Sequence, residues 1–455
     1  MIKKQRVQRI IALLLVALMI PAVFAGGAQE TTQTTKPSAS DKPITLTFWH
    51  LWGGSREELM LKEINDFQKL HPNVTIEATY IPPNDLVQKV VQAAGTGSLP
   101  DVFNLSSGWG TQMNAEASVE NLDPWLKRDG IDLKSLLVDA EYQRSFYNGS
   151  VYSLPNVSAG AQGLFFYNKG MMRAAGLDPD KDVPQTFADL QRISKIIVEK
   201  LNGSQLDVIA WDPNQMAGQP ALQTFTYGIG GNTVSADGKT AMLNSPEVKK
   251  VARAFEDYIN DVYGAYGGYR GVLEWTSRVS GADTGAGQVQ AFINEKQAFY
   301  VSGSWTIAQV QSGNPNVELG VVPIPGLNGP QGGTAKHGWS YAMSKTSKNK
   351  EMAWEFLKFL TIDPAGNGQF CIEQGRPCPI QSVNEDPSFT ALGDLWTNLV
   401  KSMNMDVVPA APDIHMDIVK PWLRDIPTRR IAGESLDSIL SDVNKRYQDY
   451  LNDIN

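Results

Sequence analysis

Apolar positions along this chain switch between two periods in a regular order. Ile44-Thr45-Leu46-Thr47-Phe48-Trp49 reads as a strand, and it ends at His50-Leu51-Trp52-Gly53-Gly54. Leu59, Ile64 and Phe67 then recur along a helix that stops before Pro72, with Ser55 expected to cap its start. Residues 74–80 alternate as a half-buried strand does. A helix over 85–94 gives way to Gly95-Thr96-Gly97-Ser98, and 101–105 form a third strand that stops at Ser106-Ser107-Gly108-Trp109. Strand, helix, strand, helix, strand predicts a mostly parallel sheet with helices on its faces.

The pattern restarts at Leu164-Phe165-Phe166-Tyr167-Asn168. Thr186 and Asp189 open a helix over 187–201, and Val208-Ile209-Ala210-Trp211 is the next expected strand. Further on, 339–343 is a strand and 350–360 a helix with Met352, Ala353, Phe356, Leu357 and Leu360 inward. A final helix over 436–451 buries Leu436, Ile439, Leu440, Val443 and Tyr447. Residues 156–163 and the proline-stiffened 323–333 read as crossings between two such bodies. Between them, 287–310 reads as a short helix carrying Val289, Phe292 and Ile293, followed by the strand Ala298-Phe299-Tyr300-Val301 and the turn Ser302-Gly303-Ser304. Ser304 is placed to cap a further helix whose first turn carries Trp305. In α/β sheets, ligands bind just beyond such strand ends.

Composition changes the picture at three points. With 455 residues, 42% hydrophobic and 19% charged, the chain is expected to divide into two or more domains. Residues 1–25 place Lys3, Lys4, Arg6 and Arg9 before an apolar run and Ala25, which reads as a secretory signal peptide; a membrane anchor would need about 20 apolar residues. Residues 26–42 are polar and small, a flexible lead without a cysteine for lipid attachment. Without the leader, 36 Lys and Arg face 48 Asp and Glu, a net charge of −12 that argues against nucleic acid and anionic membrane surfaces. The two cysteines, Cys371 and Cys378 in CIEQGRPC, are expected to close a small structural disulfide loop in an oxidising compartment, and too few His or Cys neighbours accompany them for a metal site.

Taken in order, ITLTFWHLWGG (44–54), FQKLHPNVTIE (67–77), GTGSLPDVF (95–103), NGSVYSLP (148–155), FYNKGMMRAAGLDP (166–179) and VPQTFADL (183–190) form a recognisable series. AFINEKQAFYVSGSW (291–305), GVVPIPG (320–326) and GWSYAMSKTSKNKEMAWEFLKFL (338–360) continue it. The series resembles the family 1 extracellular solute-binding proteins of ABC importers, the group that includes maltodextrin-binding proteins. The resemblance implies a two-lobed α/β periplasmic-binding-protein fold of type II, with residues 43–158 and 326–378 in the N-terminal lobe and 159–325 and 379–455 in the C-terminal lobe. It implies a ligand cleft between them, a third crossing near Pro377-Cys378-Pro379, and a periplasmic monomer without cofactor that hands a sugar to membrane permease subunits.

Sugar recognition combines aromatic faces for the C–H side of a ring with planar polar groups for its hydroxyls. Trp49, Trp52, Trp109, Trp305, Trp339 and Trp422 stand after strand ends or in loops expected at the cleft. By resemblance, the tryptophan after the SGS turn matches a sugar-stacking position, which makes Trp305 the leading residue and Ser304 its neighbour. His50, Ser106, Ser107, Asp212 and His337 are the polar candidates, with Gln162 after the first crossing. Asp101 reads as structural.

Two other functions fit parts of the pattern. A glycosidase needs two carboxylates about 5 to 10 Å apart, whereas Glu57, Glu58 and Asp66 sit on a solvated helix face, and nucleophile-elbow, zinc-protease and Walker motifs do not occur. The same fold could instead hold a polyamine or a metal ion. Tyr263, Tyr266 and Tyr269 superficially resemble an iron-binding tyrosine cluster, but the intervening glycines read as a flexible loop at a cleft rim.

Overall fold

The computed structural model describes residues 42–454 apart from 107–114, 159–163, 215–219, 281–284, 331–338 and 404–414. The strands of its two larger sheets, in chain order, are β1 (Ile44–His50), β2 (Val74–Tyr80), β3 (Val102–Ser106), β4 (Leu154–Pro155), β5 (Leu164–Asn168), β6 (Phe299–Ser302), β7 (Leu319–Val322) and β8 (Trp339–Met343). The helices that matter here are α1 (Ser55–Leu70), α2 (Pro83–Thr96), α3 (Phe187–Leu201), α4 (Pro246–Tyr263), α5 (Trp305–Gly313), α6 (Lys350–Phe359), α7 (Gln369–Glu373), α8 (Met416–Arg424) and α9 (Leu436–Ile454).

The first sheet has the order β2-β1-β3-β8-β4. β1 runs parallel to both β2 and β3, as the alternating strand and helix pattern predicts. β8 returns from far along the chain and pairs antiparallel with β3 and β4. The second sheet, β6-β5-β7, is antiparallel throughout, so the expected parallel pattern does not extend to it. The strand expected at 208–211 shrinks to a single bridge from Ile209 to Gln297, followed by a bond from Phe299 N to Ala210 O of 2.8 Å.

β5 is buried on both faces, the usual state of a central strand covered by helices. Leu164 and Phe166 on one face join a core that also holds β1, α1, β8 and α6, while Phe165 and Tyr167 on the other join a core with α3, α4 and α9. The two cores therefore meet across one three-stranded sheet. α9 buries Leu436, Ile439, Leu440, Val443 and Tyr447, the five residues its spacing selects.

Caps divide the expectations. Thr186 and Asp189 form the full reciprocal capping box on α3. Ser55 does not cap α1: it is already the first helical residue, and Gly54 at φ 64° makes the entry. Ser304 does not cap α5 either, because its backbone (φ −55°, ψ −26°) is already helical and turns the hydroxyl away from the free amides. The tyrosine stretch is helical rather than a loose rim: Tyr263 ends α4, and its buried hydroxyl donates to Trp211 O (2.7 Å) while accepting from Ala210 N and Trp211 N.

Cys371 and Cys378 are free thiols, not the expected disulfide. Both are buried in the first core, where the Cys371 thiol is satisfied without a covalent partner: it donates to Asn156 O at 3.5 Å and Asn367 Oδ1 at 3.7 Å. Burial pushes the Cys371 thiol well above its usual range. Among the described residues, no helix is long and apolar enough to cross a membrane.

Candidate functional site

β6 ends at Ser302, and the chain turns through Gly303 and Ser304 into α5, whose first residue is Trp305. The six-membered part of the indole lies against Gly303, where an added Cβ would stand only 2.1 Å from the ring. Glycine is thus required by the approach of the side chain two residues on. Trp305 is half-buried, and Ser304 beside it is fully buried with its hydroxyl unpaired among the described residues.

The other surface of this site comes from the loop after β1. Trp52 is fully enclosed; its Nε1 donates to Tyr341 Oη at 2.7 Å and its ring meets Phe370 edge-on at 5.4 Å. A ring sealed in this way has no free face for a ligand, so Trp52 is a wall of the site rather than the stacking platform expected. Beneath it, Asn104 ties the strand ends together, accepting from Leu51 N (3.1 Å) and donating to Ser340 O (3.2 Å).

Arg376, between α7 and Pro377, joins the two indoles. Its guanidinium lies 5.6 Å from the Trp52 ring and 5.3 Å from the Trp305 ring, within cation–π range of both. Arg56, on the first turn of α1, approaches Trp52 at 5.6 Å and remains solvent-exposed. Arg376 is only 3% exposed, and its Nε is unpaired. Burial and the nearby positive charge of Arg56 lower its pKa to about 10. Sequence reading missed both arginines. The available signal was an arginine held between Gly375 and Pro377, in a segment read only for its cysteines.

The remaining expected residues separate. His50 is 1% exposed and stacks on Phe48 at 5.4 Å; burial lowers its pKa to about 4, so it is a neutral core imidazole rather than a hydroxyl donor in the cleft. Trp49 is half-buried and carries Lys89 at 5.1 Å over its ring, which uses it for packing under α2. Ser106 pairs with Trp339 across β3 and β8, and Trp339 is half-buried there. Asp212 is 8% exposed and accepts from Asn214 N (2.9 Å) and Nδ2 (3.2 Å). Asp212 and Trp422 share a cavity of about 270 Å³ with Tyr269, Thr276 and Arg424, the second group of expected residues that the fold brings together. Ser107, Trp109, His337 and Gln162 lie outside the described residues. Asp101, read as structural, accepts from Thr47 N and Oγ1, both at 2.8 Å, and locks β1 to the start of β3.

The ordered motifs imply an indole delivered at a strand end, and Trp305 stands there at the start of α5. The model for bacterial extracellular solute-binding proteins matches residues 53–366. The chain belongs to that family. As a solute-binding protein it is similar over 96% of its length to an uncharacterised ABC transporter extracellular-binding protein of Pyrococcus horikoshii, with 24% identity and 98% of that protein covered. A maltotriose-binding protein of Pyrococcus abyssi is 22% identical over 75% of this chain and 68% of its own. In fold, this solute-binding protein matches the sugar-binding protein MalE of Xanthomonas citri with a TM-score of 0.68 and 21% identity, over 90% of this chain and 98% of that one. Its fold is accordingly that of a two-lobed type II periplasmic binding protein.

Proposed function

We propose that this solute-binding protein is the exported receptor of a sugar importer, binding a saccharide between its lobes and delivering it to the membrane permease. One observation carries the reading: Trp305 stands half-buried at a strand end, with its ring held by Gly303, as a flat apolar face for a sugar ring requires. The binding of maltotriose by the Pyrococcus abyssi relative and the sugar-binding description of the Xanthomonas citri structure support the same class of ligand. Asp212 and Trp422 supply a second aromatic and carboxylate pair in the C-terminal lobe. The lobes are divided at 43–158 with 326–378 and 159–325 with 379–455, and they close as a hinge over the cargo. Residues 1–25 direct export and are removed.

Titration calorimetry with a panel of mono- and oligosaccharides tests this. Binding is expected without release of hydrolysis products; turnover would replace the receptor by an exported hydrolase. Trp305→Ala should cost about 2 kcal/mol of binding, roughly thirtyfold in affinity. An unchanged affinity would remove Trp305 from the site.

A further inference from the structure

We infer that the saccharide carries a negative charge, the carboxylate of a uronic acid residue, and that Arg376 and Arg56 receive it beside Trp305. The inference rests on the sugar-receptor reading above and deepens it. A guanidinium taken out of water is costly unless a counter-charge and hydrogen bonds replace its hydration. Among the described residues, every ion pair of the protein involves other side chains: neither Arg376 nor Arg56 is within ion-pairing distance of a carboxylate. Arg376 is nevertheless almost fully enclosed, and among the described residues its Nε has no hydrogen-bond partner while the faces of Trp52 and Trp305 lie against its charge. Cation–π contacts offset part of that cost and leave the in-plane N–H donors unused.

Those donors form a planar fork that matches a carboxylate in two parallel bonds. Arg56, on the same indole, adds a second positive charge close enough to depress the pKa of Arg376. Two like charges kept together without an anion are a site awaiting one. Glu63, a carboxyl group on α1, does not fill the role: it is not within ion-pairing distance of either arginine. It is buried, and desolvation raises its pKa well above the usual carboxylate range. A uronic acid residue satisfies the whole arrangement: its C–H face lies on Trp305 while its carboxylate, in the plane of the ring edge, meets the arginine fork. The acidic balance of the chain, with 48 Asp and Glu against 40 Lys and Arg, makes this local reversal of sign more selective.

The test uses the full-length mature protein and matched pairs of probes, digalacturonate against galactobiose and a diglucuronate against its neutral glucose disaccharide, with a sulfated disaccharide as a third arm. Calorimetry should show an acidic member binding at least about tenfold tighter than its neutral counterpart, the increment expected of a charge-assisted pair of hydrogen bonds. The preference should weaken with added salt and vanish in Arg376→Met, and Arg376→Lys should restore part of it. Arg56→Gln, checked by a thermal melt for an intact fold, should reduce it independently. Neutral sugars bound as tightly as acids, with the ratio unmoved by Arg56→Gln, would overturn the inference while leaving the sugar receptor intact. Tight binding confined to the sulfated probe would overturn the assignment of a carboxylate. Failure of every saccharide, acidic or neutral, would instead bring down the receptor reading itself.

Discussion

Gly303 and Trp305 work as a pair, because the indole rests where a side chain on residue 303 would be. Gly303→Ala places a methyl carbon 2.1 Å from the ring and must push it aside. The expected result is a loss of saccharide affinity of about tenfold, the value of one displaced aromatic contact, with a melting temperature close to that of the parent. Calorimetry alongside a thermal melt checks both. His50 makes a different residue-scale prediction. Its imidazole takes a proton near pH 6.5 when exposed but only near pH 4 in the fold, so between these values the unfolded chain binds the extra proton. Stability contributed by the neutral ring is therefore present above pH 6.5 and falls as pH drops toward 4, by up to about 3 kcal/mol. His50→Phe, which keeps an aromatic ring on Phe48, should flatten that part of the profile. Urea midpoints at pH 7 and 4.5 measure the difference, and equal slopes for the two proteins would clear His50 of the effect.

At the scale of elements, the helix starts show which local signals hold. On α3 the box is closed from both sides, with Asp189 N donating to Thr186 Oγ1 at 3.1 Å and Thr186 N donating to Asp189 Oδ2 at 3.0 Å. Thr186→Ala should cost about 1 kcal/mol of stability, read as a shift in denaturant midpoint without a change in slope. Ser304 carries the same residue-type signal without the second partner, and the tight turn from β6 sets its backbone instead. The strand expected at 208–211 fails for a related reason: its apolar run satisfies a buried core position, yet among the described residues its backbone pairs only with the short stretch 296–299. Apolar runs of strand length report burial more reliably than pairing.

At the scale of the whole molecule, the two cores share one sheet, and the proposed closure brings the two lobes together over the cargo. A ligand that binds between them favours the closed form, so saturating saccharide should raise the melting temperature, with about 2.7 kcal/mol of stabilisation at a hundredfold excess over Kd. Small-angle scattering on the same samples should record a smaller radius of gyration with ligand than without. A melting shift with an unchanged radius would mean binding without hinge motion. Arg376 gives that motion a structural focus, since its guanidinium touches Trp52 from the loop after β1 and Trp305 from α5 at once.

The sequence alone determined the elements whose causes are local. The alternation of 74–80, the capping box of α3, the inward stripe of α9 and the strand-turn-indole order at 299–305 all follow from backbone period and nearest neighbours, and the ordered motifs determined the family. Tertiary structure decided everything that depends on residues distant in the chain. It sealed Trp52 against Tyr341 and Phe370, drew His50 into the core, and set the antiparallel run of the second sheet. It satisfied Cys371 through Asn156 and Asn367, and it carried Arg376 onto two indoles. Side-chain period is inherited from the backbone itself, whereas the partner of a buried charge or indole is fixed only when separate segments pack and water is excluded.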